Sequence, residues 1–212
     1  MCTFMSAQPT RHEAESPKRQ SIVDAAKDLF VSQGYGAVSM DAIARAAGVS
    51  KATLYAHFAS KDRLFASIIN EACQSNVAVR DLLPGPEDDL RRGLVLIGQR
   101  ILGFFLEERT LAIHRVVIAE SLRFPELGQA FYDNGPMVFL REFGAWLSEQ
   151  ARTGRMVVPD PESAAGQFVG LLRTGLFLRA LLGLEPSPDA ATIALTAEAG
   201  VDTFLKAFAP AA

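Results

Sequence analysis

The sequence predicts an all-α protein with three short helices at the front and a bundle of longer helices behind. Three observations carry that prediction. From Pro17 onward, apolar residues recur at helical spacing; Ile22, Ala25, Ala26, Leu29 and Phe30 fall at i, i+3, i+4, i+7 and i+8, one face of a helix. The helix starts are marked by capping residues. No segment alternates apolar and polar residues for long, which argues against strands.

In order along the chain, residues 1–16 are polar and aperiodic and read as a flexible arm. The first helix, 17–33, stops at Gly34-Tyr35-Gly36. Ser39, Ser50 and Ser60 stand as N-cap candidates before the next three, with Asp41 and Asp62 in first turns, where the helix dipole favours an acid. Asp160-Pro161-Glu162 and Ser187-Pro188-Asp189 repeat one start signal: a cap, proline at the first helical position, then an acid. Gly154 and Gly183 mark ends, and Phe124-Pro125 marks a break. The result is about nine helices: 17–33, 40–47, 51–57, 61–82, 87–107, 109–122, 126–152 with a potential break at Gly135-Pro136, 161–182 and 188–208. The change from short to long helices sets a boundary near residue 63, dividing the chain into an arm (1–16), a small helical domain (17–63) and a larger one (64–212).

Composition narrows the function. Of 212 residues, 49% are hydrophobic, enough for a sizeable core, and 14 Phe against 3 Tyr and 1 Trp indicate core filling without polar tips. A net charge of −3 argues against nonspecific coating of nucleic acid but is compatible with a local DNA site. Cys2 and Cys73 are too few for a disulfide framework and fit a reducing, cytoplasmic setting; Cys73 reads as an inert packed thiol rather than a redox sensor. The N-terminus has no apolar run after a basic start, and the apolar stretch 94–106 is interrupted by Gln99 and Arg100, so neither a signal peptide nor a membrane partner is expected. His12, His57 and His114 lack metal-ligand spacing, and no cofactor is expected. Neither a GxSxG elbow, a P-loop, a dinucleotide glycine signature nor HExxH occurs, so an enzyme is not expected.

The informative stretch runs from Ser39 to Phe58. Ile43, Ala44 and Ala47 form the inner face of a short helix whose small residues admit a second helix. Gly48 ends it in a left-handed conformation, Val49 plugs the turn, Ser50 caps the next helix, and Leu54 and Phe58 face inward. Two short helices joined by a tight glycine turn make a helix-turn-helix. The outer face of the second helix carries Lys51, Ala52, Thr53, Tyr55 and His57, a set that suits major-groove entry: Lys51 for a phosphate or guanine edge, Thr53 for a phosphate, base or thymine methyl, Tyr55 and His57 for phosphates. The bland alternative is a solvated face, with Tyr55 partly in the core. Lys18 and Arg19 stand at a helix N-terminus, where cations are disfavoured unless they face phosphates.

Residues 17–63 resemble the N-terminal DNA-binding domain of the TetR/AcrR family. The likeness rests on Ile22, Ala25, Ala26, Leu29 and Phe30; Gly34-Tyr35; Ile43-Ala44 with Ala47-Gly48-Val49-Ser50; Leu54-Tyr55 with Phe58; and Lys61 with Leu64. Gly36 departs from the pattern, since the family often has a bulkier or polar residue there. Glu120-Ser121, Pro125-Glu126-Leu127 and Phe131-Tyr132 within 115–136 resemble the C-terminal domain of AefR-like members. The resemblance implies a regulator, expected to be a ligand-responsive repressor, that binds a palindromic double-stranded operator as a homodimer and senses an apolar or amphipathic small molecule. The expected DNA-contacting set is Lys18, Arg19, Ser39, Met40, Ser50, Lys51, Ala52, Thr53, Tyr55, His57 and Lys61. The expected effector pocket is Phe104, His114, Phe143, Trp146 and Phe168, with His114 readable also as a core histidine. The last two helices are expected to pair with their copies through Phe168, Leu172, Leu176, Val201, Phe204 and Phe208, helped by Gly166, Gly170 and Ala197. Glu120 reads as a bundle-surface or interface carboxylate. The alternative function is a helical small-molecule carrier or protein-interaction module without DNA binding.

Overall fold

The computed structural model describes residues 16–76, 83–85, 87–173, 175–184 and 188–210, without the side chains of 73–76. The arm to residue 15 with Cys2 and His12, the Cys73 side chain, Pro86 and Ser187 lie outside the described residues. Eleven helices are present among them: α1 (Pro17–Gln33), α2 (Met40–Ala46), α3 (Lys51–His57), α4 (Lys61–Asn76), α5 (Leu90–Leu106), α6 (Glu108–Glu120), α7 (Pro125–Asn134), α8 (Pro136–Arg152), α9 (Pro161–Leu172), α10 (Gly175–Leu181) and α11 (Ala190–Phe208). No strand occurs among the described residues.

Of the expected caps, Ser39, Ser50 and Asp160 act as their chemistry requires, and the last helix starts instead at Asp189, with Pro188 before it. Ser16, Ser39, Ser50, Asp89, Asp160 and Asp189 each accept a backbone N–H of the first turn of the helix that follows. Two expected helices are each divided. The stretch 126–152 breaks at Gly135, because Pro136 cannot supply the N–H that a continuous helix needs. The stretch 161–182 ends a first segment at Leu172 and resumes at Gly175.

The first four helices close on one core: Ile22, Val23, Ala26 and Phe30 of α1, Ile43 of α2, Leu54 of α3, and Leu64, Phe65, Ile68 and Ile69 of α4. Phe30, Tyr35 and Phe65 meet as an aromatic triangle with centroids 5.3–5.8 Å apart. The same core admits Val117 of α6 and Leu127 of α7, so the small domain, or head, is seated on the bundle. In the bundle, α5 packs along α11, α8 along α9, and α9 along α11. Their shared core holds Leu94, Ile97, Phe143, Leu147, Phe168, Leu172, Val201 and Phe204. A smaller cluster, Leu102, Leu106, Leu111, Phe177 and Ala180, lies between α5, α6 and α10. Among the described residues no helix is long and apolar enough to cross a membrane.

Candidate nucleic-acid interface

The reading end of the head is built from two short helices and one turn. Ser39 Oγ accepts the Ala42 N–H at 3.1 Å to start α2. Beyond α2, the Val49 N–H reaches back to the Ala44 carbonyl at 3.0 Å and the Gly48 N–H to the Arg45 carbonyl at 3.2 Å, a Schellman turn. Gly48 has φ +66°, a conformation that costs an L side chain roughly 1–2 kcal/mol. Ser50 then caps α3, accepting the Thr53 N–H at 3.0 Å. Leu54 is sealed and Phe58 is 5% exposed, so the inner face of α3 is pinned.

That register leaves Lys51, Ala52, Tyr55 and His57 exposed on one outer surface. Tyr55 is 45% exposed, outside the core. Lys51 Nζ lies 2.9 Å from Asp41 Oδ1, and that hydrogen bond raises the lysine pKa above its ordinary value. Both partners face solvent, so the pair is weakly held and the ammonium is free to exchange onto an anion. The Thr53 hydroxyl is half-buried, 2.8 Å from Ser50 Oγ. Ser39 and Ser50 are exposed caps, and Lys18 is exposed at the start of α1.

Three residues expected on this surface are engaged inside the protein. Arg19 donates to Glu71 Oε1 at 2.7 Å and to Ser67 Oγ, and its guanidinium lies over the Phe58 ring. Met40 is 9% exposed and closes the head core. Lys61 Nζ donates to the carbonyls of Tyr35 (2.7 Å) and Val38 (2.9 Å) and stands 4.2 Å above the Tyr35 ring. Burial lowers the Lys61 pKa, against the raising influence of Glu120 and Glu126. In each case a partner distant in sequence claims the side chain, and no helical pattern reveals such a partner.

Comparison with known proteins agrees with this geometry. Residues 22–68 match the model for bacterial regulatory proteins of the tetR family, and residues 92–210 match that for the AefR-like transcriptional repressor C-terminal domain. The chain belongs to the TetR family. It is similar to the flavonoid-responsive regulator FrrA, with 41% identity, 92% of this chain and 98% of that chain covered, and a TM-score of 0.78. A TetR-family transcriptional regulator from Mesorhizobium loti MAFF303099 shows 28% identity over 91% of this chain and 97% of its own, also with a TM-score of 0.78. The HTH-type transcriptional regulator UidR of Escherichia coli (strain K12) is 29% identical over 151 residues, 70% of this chain and 73% of UidR.

This TetR-family protein is therefore a DNA-binding transcriptional regulator, with its DNA-binding domain at the N-terminus. These three relatives are regulators of transcription, not enzymes. Between the head and the rest of the regulator lies a contact that the sequence did not reveal. Glu120, at the end of α6, accepts the Gly36 N–H at 2.6 Å. Phe124 packs edge-on against Tyr35 (5.5 Å) beside Lys61. A Cβ at Gly36 would stand 2.7 Å from the Phe124 ring and 2.8 Å from Glu120 Oε2, so a glycine is required for this close approach. The departure at Gly36 was the available signal.

In the bundle, the expected pocket residues are distributed over two places. Phe143 stacks on Trp146 and packs against Phe168 within the main core, and Trp146 donates to the Pro84 carbonyl at 3.0 Å. Phe143 and Phe168 are fully buried by the chain itself. His114 lies elsewhere, against Phe105, Phe131 and Phe177. Phe104 is half-buried beside Phe105. Of the six residues expected between subunits, Phe168, Leu172, Val201 and Phe204 are sealed inside their own chain, out of reach of a partner, while Leu176 and Phe208 are half-buried. Selecting the most apolar helix faces identified the core, and the exposed faces of α9 and α11 are made of smaller residues.

Proposed function

We propose that this regulator reads a near-palindromic operator as a homodimer, through the outer face of α3, and releases it when a small molecule binds the bundle. The observation that carries the reading is the rigid turn 47–50, which presents Lys51, Ala52, Tyr55 and His57 together while Leu54 and Phe58 hold them in register. Lys51 serves a phosphate or guanine edge, and Tyr55 and His57 serve phosphates. Lys18 supports the flanking backbone from the start of α1, and Thr53 with the caps Ser39 and Ser50 fixes the approach of the helix.

A groove between the outer faces of α9 and α11, lined by Leu171, Leu195, Thr196, Ala199, Gly200 and Thr203, supports pairing of the two chains there. Leu195 is 68% exposed, and Gly166 and Gly170 have nothing within 4 Å of where a Cβ would stand. Small residues let helices approach closely, and a twofold axis places two recognition helices about 34 Å apart, one turn of DNA. The signal route that the packing favours runs through Glu120 and Phe124, which join α6 and the start of α7 to the Gly34–Gly36 loop. An effector acts along it only by binding the DNA-competent and released states with different affinity. The matched AefR-like C-terminal domain is that of transcriptional repressors, which favours repression.

The test is operator selection from the protein's own upstream DNA and from a random-sequence library, with a Lys51→Ala, Tyr55→Ala double variant alongside. One selected near-palindrome, bound by the wild type and not by the folded, dimeric variant, is the expected result. Failure of the wild type to select any sequence overturns the reading in favour of a helical carrier without DNA binding.

A further inference from the structure

Resting on the reading above, we propose that Arg173, set between the rings of Phe105 and Phe177 beside His114, forms a recognition site for an organic anion carried on an apolar body, a carboxylate or phenolate effector. Arg173 follows the last residue of α9. Its guanidinium carbon lies 4.0 Å from the Phe177 ring centroid and 5.0 Å from that of Phe105. His114, on α6, packs edge-on against the same two rings, at 5.3 and 6.1 Å, and against Phe131 at 5.1 Å. Helices α5, α6 and α10 and the end of α9 thus bring one guanidinium and one imidazole to a single aromatic cluster.

The polar atoms of this cluster distinguish it from a packed core. His114 Nδ1 is 2.8 Å from the Thr110 carbonyl, which makes it the protonated nitrogen and leaves Nε2 an acceptor, suited to a hydroxyl on the ligand body and not to its anionic oxygens. Arg173 is half-buried, and no carboxylate among the described residues pairs with it. Three other half-buried arginines each have a protein acceptor: Arg19 has Glu71, Arg115 the carbonyls of Ala180 and Leu181, Arg155 those of Gly85 and Asp88. Arg173 instead rests between aromatic faces, which attract the cation but accept none of its five N–H groups directionally. Burial, with a smaller contribution from the Arg173 charge, lowers the pKa of His114, so the positive charge of the cluster is that of Arg173.

A planar guanidinium matches the two oxygens of a carboxylate, and the neighbouring phenylalanines match an apolar body. The cluster also touches α6, whose far end bears Glu120, so an anion held there has a short mechanical path to the head.

The test uses the full-length dimer and three probes: cinnamate, a flavonoid phenolate, and cinnamamide as the uncharged isostere of the first. Calorimetry reads binding, and anisotropy reads release of the selected operator. Wild type is expected to bind at least one of the two anions ten times or more tighter than cinnamamide and to release DNA with it. Arg173→Met is expected to bind both anions no better than the amide, with its melting temperature and dimer intact, and Arg173→Lys to restore part of the preference. Equal binding of anions and amide by the wild type overturns the proposal, as does binding of none of the three, or an anion preference that survives in Arg173→Met. Loss of the dimer in Arg173→Met also overturns it, by assigning Arg173 to the subunit interface. DNA selection that persists in all of these cases leaves the regulator reading standing and removes only the anion site.

Discussion

Among the cations that sit on aromatic faces in this molecule, Lys61 and Arg173 are used in opposite ways. Lys61, in the head, stands 4.2 Å above Tyr35 and 5.6 Å from Phe124, and its ammonium also donates to two carbonyls of the loop between α1 and α2. Arg173, in the bundle, has the same aromatic support from Phe105 and Phe177 and no hydrogen-bond acceptor among the described residues. The chemistry of the ring contact is shared; the difference lies in the donors. A buried cation whose N–H groups end on its own backbone is a clamp, and replacing it disturbs the fold. A cation whose N–H groups meet no protein acceptor contributes little to the fold and retains its capacity for a ligand.

The comparison is broken most readily at Lys61. Lys61→Ala leaves the Tyr35 and Val38 carbonyls without their charged donor, and the expected loss is about 2–3 kcal/mol of stability by denaturant unfolding. Operator binding falls with it, because those carbonyls lead directly into Ser39 and α2. A variant as stable as wild type but weaker on DNA contradicts the clamp and returns Lys61 to the reading face.

A second change sharpens the boundary between the clamp and the bundle. Gly36→Ala drives a methyl group into the Phe124 ring and the Glu120 carboxylate, and is expected to cost about 1–3 kcal/mol. Glu120→Ala leaves the head free of that clash but without the Gly36 contact. Operator affinity is expected to persist in Glu120→Ala while the effector's ability to release DNA weakens, measured by operator anisotropy against effector concentration. Undiminished release shows that the signal takes another route.

Arg173→Met is expected to change stability by no more than about 1 kcal/mol, the size of a partly exposed cation–π contact, in contrast to Lys61→Ala. A loss as large as that of Lys61→Ala makes Arg173 a second clamp. The smallest effect concerns protonation of His114. Burial, opposed by the Thr110 carbonyl and assisted by Arg173, holds its pKa below the ordinary 6.5. As pH falls through 6.5, the unfolded chain takes up the proton first, so stability declines on acidification and is unaffected above that value. His114→Phe is expected to flatten this part of the stability–pH profile, and a profile identical to wild type contradicts the assignment.

Much of this architecture was legible in the sequence because helical order is local. Caps at Ser39, Ser50 and Asp160, the turn at Gly48 and the inward pair Leu54 and Phe58 all involve partners within one or two turns, whereas the last helix is capped by Asp189, two residues beyond the expected Ser187. Once the turn is placed, the outer face of α3 follows from helix register alone. What escaped depends on interactions across the chain. The partners of Arg19, Lys61 and Glu120 lie 52, 26 and 84 residues away. No proline lies between the end of α9 at Leu172 and the start of α10 at Gly175, and a glycine in a helix costs only about 1 kcal/mol, too little to mark a break. The residues proposed for the subunit face were legible only in part: hydrophobicity points to Phe168 and Phe204, which the chain keeps for its own core, whereas the small residues Gly166 and Gly170 were expected there and are open in the structure.

The most direct test of the central claim is the salt dependence of operator binding for wild type, Lys51→Ala and Lys61→Met. Each phosphate that the protein ceases to neutralise makes the slope of log K against log salt shallower by about 0.9. Lys51→Ala is expected to be folded and to bind more weakly, with a slope shallower by about that amount when Lys51 meets a phosphate, or with loosened base specificity when it meets a guanine edge. Lys61→Met, compared at a temperature where it is folded, keeps the wild-type slope. Wild-type affinity, slope and specificity in Lys51→Ala, together with a shallower slope in Lys61→Met, contradicts the assignment of the outer face of α3 as the DNA-reading surface.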